Sequence, residues 1–363
     1  MRQIKVLVVD DSPFVCRLLT SWLESSPEIQ VVGTAQNGEQ AIQQAHELSP
    51  DVVTLDLEMP GLRGLDALEA LLSEYRVPVI VISGVSHRSA ALTLEALEIG
   101  AVDFILKHTP GVPTDPEKLR AEIIAKVIVA AQAHTHLVTR AEFSAALRGT
   151  RPSSYSLPLE LAVARRRFNS GCNFHQTPPQ GVVVIGASTG GPVALRQLMN
   201  ELPINFPSVV LIIQHLPPTF TKVLAEQLNS QVEMKIKEAE DGEELKIGTA
   251  LVAPGCCHLR FDSDTSVRLA PGPELKGCRP SIDLAMQSAA EVWRNRARGV
   301  LLTGMGRDGA LGLSEIRGRG GRTFAQDAES CTINGMPQSA IEMGVVDHVA
   351  SPEQIAQMLM NGL

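Results

Sequence analysis

Aromatic side chains are scarce in this 363-residue chain: they make up 4% of it, with two Trp and two Tyr. The hydrophobic fraction of 44% must therefore be carried by Val, Ile, Leu and Ala. Such residues suit parallel sheets buried on both faces by helices. Long apolar runs are also missing. Nothing approaches the ~20 residues that cross a bilayer, so direct membrane insertion is not expected. Positive charge is in deficit: a formal net charge of −8 argues against the basic surface that non-specific nucleic-acid binding needs. The six cysteines (Cys16, Cys172, Cys256, Cys257, Cys278, Cys331) lack CxxC spacing and a companion His set. Reduced thiols in a cytoplasmic protein fit that pattern. The strand IKVLVV follows Met1 almost at once, so no leader peptide is expected.

What the chain does hold is two alternations of strand and helix signals, enough for two domains with their own cores. Apolar runs at 6–9, 31–32, 52–55, 79–82 and 104–106 read as five short strands. Amphipathic stretches lie between them, and a further helix at about 116–133 closes the unit. This predicts a flavodoxin-like five-stranded parallel sheet over 1–125. Residues 126–180 read as a helical extension and linker, broken by Pro152 and Pro158 and carrying one helix around 157–167. From 181 to 363 a second α/β pattern predicts a doubly wound domain. Its antiparallel extension is expected through 249–252, 258–261 and 267–269.

Chemistry in open α/β sheets collects at the carboxyl ends of the strands. In the first unit VLVVDDS ends a strand in Asp10 and Asp11, Asp56 ends the third, Ser83 the fourth, and Lys107 follows the fifth. Three converging carboxylates repel one another unless a hard divalent cation such as Mg²⁺ lies between them. One of them can then accept a phosphoryl group while the lysine offsets charge on its oxygens. Asp56, alone at the centre of DLEMPG, is the candidate acceptor.

In the second unit VVVIGASTGG ends a strand in a glycine turn that presents Ser188, fitting G-x-S-x-G. A dinucleotide reading fails on two counts. GASTGG lacks the second glycine of G-x-G-x-x-G, and the next strand ends in Gln214 rather than in an acid for ribose. A nucleophilic serine needs a base and a group that orients it. His215, in QHLPP, lies just past the next strand, and Asp308, in TGMGRDG, follows a later one. Gly304, Gly306 and Gly309 would free backbone N–H groups for an oxyanion. The order Ser, His, Asp is not the Ser, Asp, His order of α/β-hydrolases, so that superfamily is not expected.

Residues 1–125 resemble a response-regulator receiver domain. By that resemblance Asp10, Asp11 and Asp56 hold Mg²⁺, Asp56 is the phosphoacceptor, and Ser83, Phe104 and Lys107 form the switch. His108 stands where that family commonly has proline after the lysine. GASTGG, QHLP, LVAPG, RPSIDLAM, LLTGMGRDGALG and AQDAESCTINGMP resemble the signatures of the chemotaxis protein-glutamate methylesterase (CheB) family. The resemblance implies a Ser188, His215, Asp308 triad, with Thr189 and Met305 in the site and the Met305 N–H among the oxyanion donors. It implies phosphorylation-activated hydrolysis of glutamate methyl esters, and deamidation of glutamines, with no cofactor in the esterase site. The implied partners are methyl-accepting chemoreceptors and a histidine kinase of the CheA type, and a monomer is expected. Cys256 and Cys257 are expected to be local substitutions away from the triad. The competing expectation is a phosphorylation-dependent adaptor without catalysis, against which the presence of all three triad residues weighs.

Overall fold

Hydrophobic β-branched runs place strands where both faces can be covered, and the computed structural model describes the result for residues 2–107, 115–133, 179–275 and 277–361. The first unit contains β1 (Ile4–Val9), α1 (Pro13–Leu23), β2 (Ile29–Ala35), α2 (Gly38–Leu48), β3 (Val52–Asp56), α3 (Gly64–Ala70), β4 (Val79–Ser83), α4 (His87–Ile99), β5 (Asp103–Leu106) and α5 (Pro116–Ala130). Its sheet has the order β2-β1-β3-β4-β5, every pair parallel, which is the flavodoxin-like order. β3 and β4 are buried at every position, as strands between two helical layers must be. Helix starts follow local chemistry: Ser12, Asn37, Ser86 and Asp115 each cap a helix through a side-chain oxygen.

The second unit runs β6 (Gly181–Ala187), α6 (Gly191–Glu201), β7 (Ser208–Gln214), α7 (Pro218–Gln231), β8 (Lys235–Glu238) and β9 (Thr249–Val252). It continues with β10 (His258–Phe261), β11 (Val267–Ala270), α8 (Ile282–Trp293), β12 (Ala297–Leu301), α9 (Ala310–Gly318), β13 (Arg322–Gln326), α10 (Gly335–Glu342), β14 (His348–Ala350) and α11 (Pro352–Asn361). A seven-stranded, wholly parallel sheet has the order β14-β13-β12-β6-β7-β9-β8. The antiparallel extension is real but smaller than the sequence suggested. Only β10 and β11 form it, packing on α8 through the edge-on pair Phe261 and Trp293. Residues 249–252 instead pair parallel with β7 and β8, because their apolar side chains complete the main sheet. The helix expected around 157–167, residues 134–178 of the 126–180 linker, and His108 lie outside the described residues.

The two units meet through α4, which lies on α7 and α6, so one apolar core runs across both. No helix among the described residues is long and apolar enough to cross a membrane.

Candidate active site and phosphoacceptor

β6 and β7 are neighbours in register, Ala187 opposite Gln214, so Ser188 and His215 leave the sheet at the same level. The His215 N–H donates to the Ala187 carbonyl at 3.0 Å, and the Ser188 N–H donates to the Thr303 carbonyl at 3.0 Å. These bonds tie the serine turn to the strand on either side. Gly190, at φ +77°, allows the chain to swing directly into α6. A Cβ on Gly304 would fall 2.6 Å from the Ser188 Cβ, so only glycine lets the 303–309 turn approach the serine this closely.

Asp308 sits in that turn, buried, with its Oδ2 2.9 Å from His215 Nε2. The N-terminus of α8 fixes the carboxylate: the N–H groups of Ile282 (2.8 Å) and Asp283 (3.1 Å) and the Ser281 hydroxyl (3.1 Å) all donate to it. Burial alone would raise the Asp308 pKa. The hydrogen bond and charge of His215, with these backbone N–H groups, lower it to about 2. Burial likewise opposes charge on His215, but the hydrogen bonds to Asp308 and Cys278 outweigh it and push the imidazole up to about 9. With Nε2 engaged by Asp308, Nδ1 is the nitrogen left for chemistry, and it lies 3.8 Å from Cys278 Sγ. Among the described residues Ser188 Oγ makes no hydrogen bond to the imidazole, a separation common in ligand-free hydrolase sites.

In the first unit the carboxylates of Asp10, Asp11 and Asp56 gather with ligand oxygens within 4.8 Å of one another. Lys107 Nζ lies 2.7 Å from Asp56 Oδ2 and 2.9 Å from Asp10 Oδ2. Burial works against the ammonium, but these two carboxylates hold Lys107 above its ordinary pKa. Asp10 and Asp56 are buried and Asp11 is exposed, an all-oxygen donor set open to solvent on one side that fits Mg²⁺. Ser83 Oγ donates to the Gly84 carbonyl at 3.0 Å and receives the Thr93 hydroxyl at 2.6 Å.

A direct contact joins the two units beside the catalytic serine. Asp103 and Phe104, the first residues of β5, reach the second unit: Asp103 Oδ2 accepts from the Thr189 hydroxyl at 2.5 Å, and Phe104 stacks on Phe220 with ring centroids 4.8 Å apart. Thr189 is the residue after the serine. His87 with Glu226 (3.2 Å) and Glu98 with Gln231 (3.2 Å) fringe the same contact.

The family models assign both halves. Residues 183–359 match the CheB methylesterase model and residues 6–123 the response regulator receiver domain. A protein-glutamate methylesterase/protein-glutamine glutaminase of Symbiobacterium thermophilum is 40% identical over 99% of this chain and 96% of its own length. The chain belongs to the CheB methylesterase family. The namesake from Halalkalibacterium halodurans is 40% identical over 99% of this chain and 98% of its own. The crystal structure of the Thermotoga maritima CheB methylesterase catalytic domain, 40% identical, covers 50% of this chain and 98% of that one, with a TM-score of 0.49.

In this CheB-family chain the receiver is a Mg²⁺-binding type of domain, and its carboxylate cluster suits that ion. Six contributors to the site were not read from the sequence. Gln214, considered only as a missing ribose acid, is buried and donates from Nε2 to the Ser188 carbonyl at 2.9 Å. Gln326 accepts the Thr303 N–H at 2.8 Å and so supports the strand that holds the serine turn. Ser281 and Asp283, within the quoted RPSIDLAM, signal a helix N-terminus, and only the fold shows that this terminus binds Asp308. Asp103 and Cys278 carry no local signal, since both act across long stretches of chain. Met305 is exposed, and its N–H has no acceptor among the described residues.

Proposed function

We propose that this chain hydrolyses glutamate methyl esters, and more slowly deamidates glutamines, on the cytoplasmic helices of methyl-accepting chemoreceptors, under control of phosphate on Asp56. The observation that carries the reading is the His215 Nε2 to Asp308 Oδ2 bond at 2.9 Å, placed beside Ser188 by neighbouring strands. Ser188 Oγ attacks the ester carbonyl as His215 Nδ1 takes its proton. The Met305 N–H is the proposed donor to the oxyanion, and loss of one such donor costs about 3 kcal/mol of transition-state stabilisation. The proton then goes from His215 to the leaving methoxide, methanol departs, and water attacks the acyl-serine by the same base to restore Glu and Ser188. Asp308 fixes the imidazole and compensates its positive charge. An amide releases ammonia by the same route, but amine leaving groups are poorer.

Asp10, Asp11 and Asp56 would hold Mg²⁺, which when bound neutralises charge on the transferring phosphoryl oxygens. Asp56 accepts the phosphoryl group from a histidine kinase of the CheA type, and Lys107 pairs with the product. Lys107 then has less to give Asp10 and Asp56, and β5, which opens with Asp103 and Phe104 and leads into Lys107, is disturbed. The Asp103–Thr189 and Phe104–Phe220 contacts support a receiver that restrains receptor access until it is phosphorylated.

A serine-directed phosphonate tests the catalytic reading against that of an adaptor. The expected outcome is covalent label on the peptide containing Ser188, with none in Ser188→Ala. An adaptor would take no label at all.

A further inference from the structure

Cys278 stands against the imidazole at the nitrogen that catalysis needs, and hydrolysis itself gives it nothing to do. His215, Cys278 and Asp308 place one nitrogen, one sulfur and one carboxylate oxygen within 4.8 Å of one another. We propose that His215 Nδ1 and Cys278 Sγ form a binding site for a thiophilic divalent cation of the zinc class, and that its occupancy switches the esterase off. The inhibitory part rests on the reading of His215 as the general base.

Three features carry the site. The first is the bite: Zn–N and Zn–S bonds of about 2.1 and 2.3 Å at a tetrahedral angle set the donors about 3.6 Å apart. Nδ1 and Sγ lie 3.8 Å apart, long for a hydrogen bond but already near that spacing. The second is the support behind the ligand. Asp308 takes His215 Nε2 at 2.9 Å and is itself fixed by the Ile282 and Asp283 N–H groups. A carboxylate on the far nitrogen orients a metal-binding histidine in just this way, and presents the Nδ1 lone pair to the ion. The third is the donor type. Imidazole with thiolate selects zinc-class ions over Mg²⁺, whereas the all-oxygen receiver cluster selects the reverse. One protein can thus hold an activating hard cation and an inhibitory soft one at separate sites.

At neutral pH binding releases two protons to solvent, one from the Cys278 thiol and one from His215 Nδ1, and leaves two coordination positions to water. The lone pair that would take the Ser188 proton is then bound to metal, so no turnover occurs from the loaded state. Cys256 and Cys257, with sulfurs 3.4 Å apart on an exposed turn, are a second thiol source that a test must remove.

The test uses the full chain with Cys172, Cys256 and Cys257 replaced by Ser. Co²⁺ should produce a thiolate-to-cobalt charge-transfer band that saturates at one equivalent and is displaced by Zn²⁺. The band should be lost in Cys278→Ala and in Cys278→Ser, which keeps the side-chain volume. Zn²⁺ should inhibit methanol release, a chelator should restore it, and each Cys278 variant should need at least about tenfold more Zn²⁺ relative to its own metal-free rate. Absence of the band, or a band that survives both substitutions, would overturn the site. So would inhibition relieved by a thiol reductant but not by a chelator, since that marks oxidation of Cys278. The two readings fail separately: an active Ser188→Ala would unseat the triad without touching the cobalt band.

Discussion

His215 and Asp308 set the pH response of the site. With His215 raised to about 9, the resting pair at neutral pH is imidazolium and carboxylate, and the base must lose a proton before it can act. The esterase kcat/KM is therefore expected to climb with pH from neutrality toward about 9, read as methanol release across a buffer series. A profile already flat at pH 7 would show that the imidazole is not so held. Stability follows the opposite sign. The pair's contribution through His215 is complete below 6.5 and is lost as pH rises through about 9. Through Asp308 it is complete above 3.8 and is lost as pH falls through about 2. Urea midpoints measured on Ser188→Ala, which keeps the pair, should decline in both windows. Asp308→Asn removes the carboxylate charge that fixes the imidazole tautomer and compensates the imidazolium, and a loss of the order of 10⁴-fold in kcat with little change in KM is expected. At this scale the sequence was informative where a residue type is rare in its role, as with Ser188 in its glycine turn or Asp56 at its strand end. It was silent on Cys278, whose meaning depends on a histidine 63 positions away.

Among the elements, the N-terminus of α8 does the most for the site, because one turn of helix serves two partners. Its first N–H groups bind Asp308, while the Asp283 side chain accepts from the N–H groups of Gly309 (2.8 Å) and Gly312 (2.9 Å) at the start of α9. The reciprocal exchange locks the turn that carries Asp308 to the helix that orients it. Asp283→Ala strands two buried donors and should lower unfolding free energy by about 1–3 kcal/mol. It should also reduce kcat, while Asp283→Asn, which keeps one acceptor oxygen, should recover part of both. A variant with wild-type urea stability would remove this lock from the account. Strands were legible as elements when both faces were apolar, as in the runs that became β3, β4, β6 and β7. Two edge strands were not. β8, KIKE, alternates charge with apolar residues, and β14 is three residues long. β9 was assigned to the hairpin because its flanking Pro and Gly signal turns, whereas its partners in the sheet are distant in sequence.

Over the whole molecule, the receiver touches the esterase beside the catalytic serine, through β5 and α4. Asp56 pairs with Lys107, just past the C-terminal end of β5, and the same strand opens with Asp103 and Phe104, which contact Thr189 and Phe220. A tenfold change in activity needs only ~1.4 kcal/mol of difference between the two states. Phe104→Ala, which removes the stacked ring, should raise the unphosphorylated rate and shrink the response to acetyl phosphate. Equal or lower basal methanol release by a folded Phe104→Ala protein would mean that the receiver recruits the enzyme rather than restraining it. This contact was not legible in the sequence, which offered only two strand edges and a linker between them. The central claim, a Ser188 esterase governed by phosphate on Asp56, is tested most directly by methanol release from methylated receptor membranes with Mg²⁺, with and without acetyl phosphate. The wild-type chain should release methanol and accelerate with acetyl phosphate, Ser188→Ala should release none, and Asp56→Asn should show no acceleration. Undiminished turnover by Ser188→Ala, or full acceleration of Asp56→Asn, would contradict it.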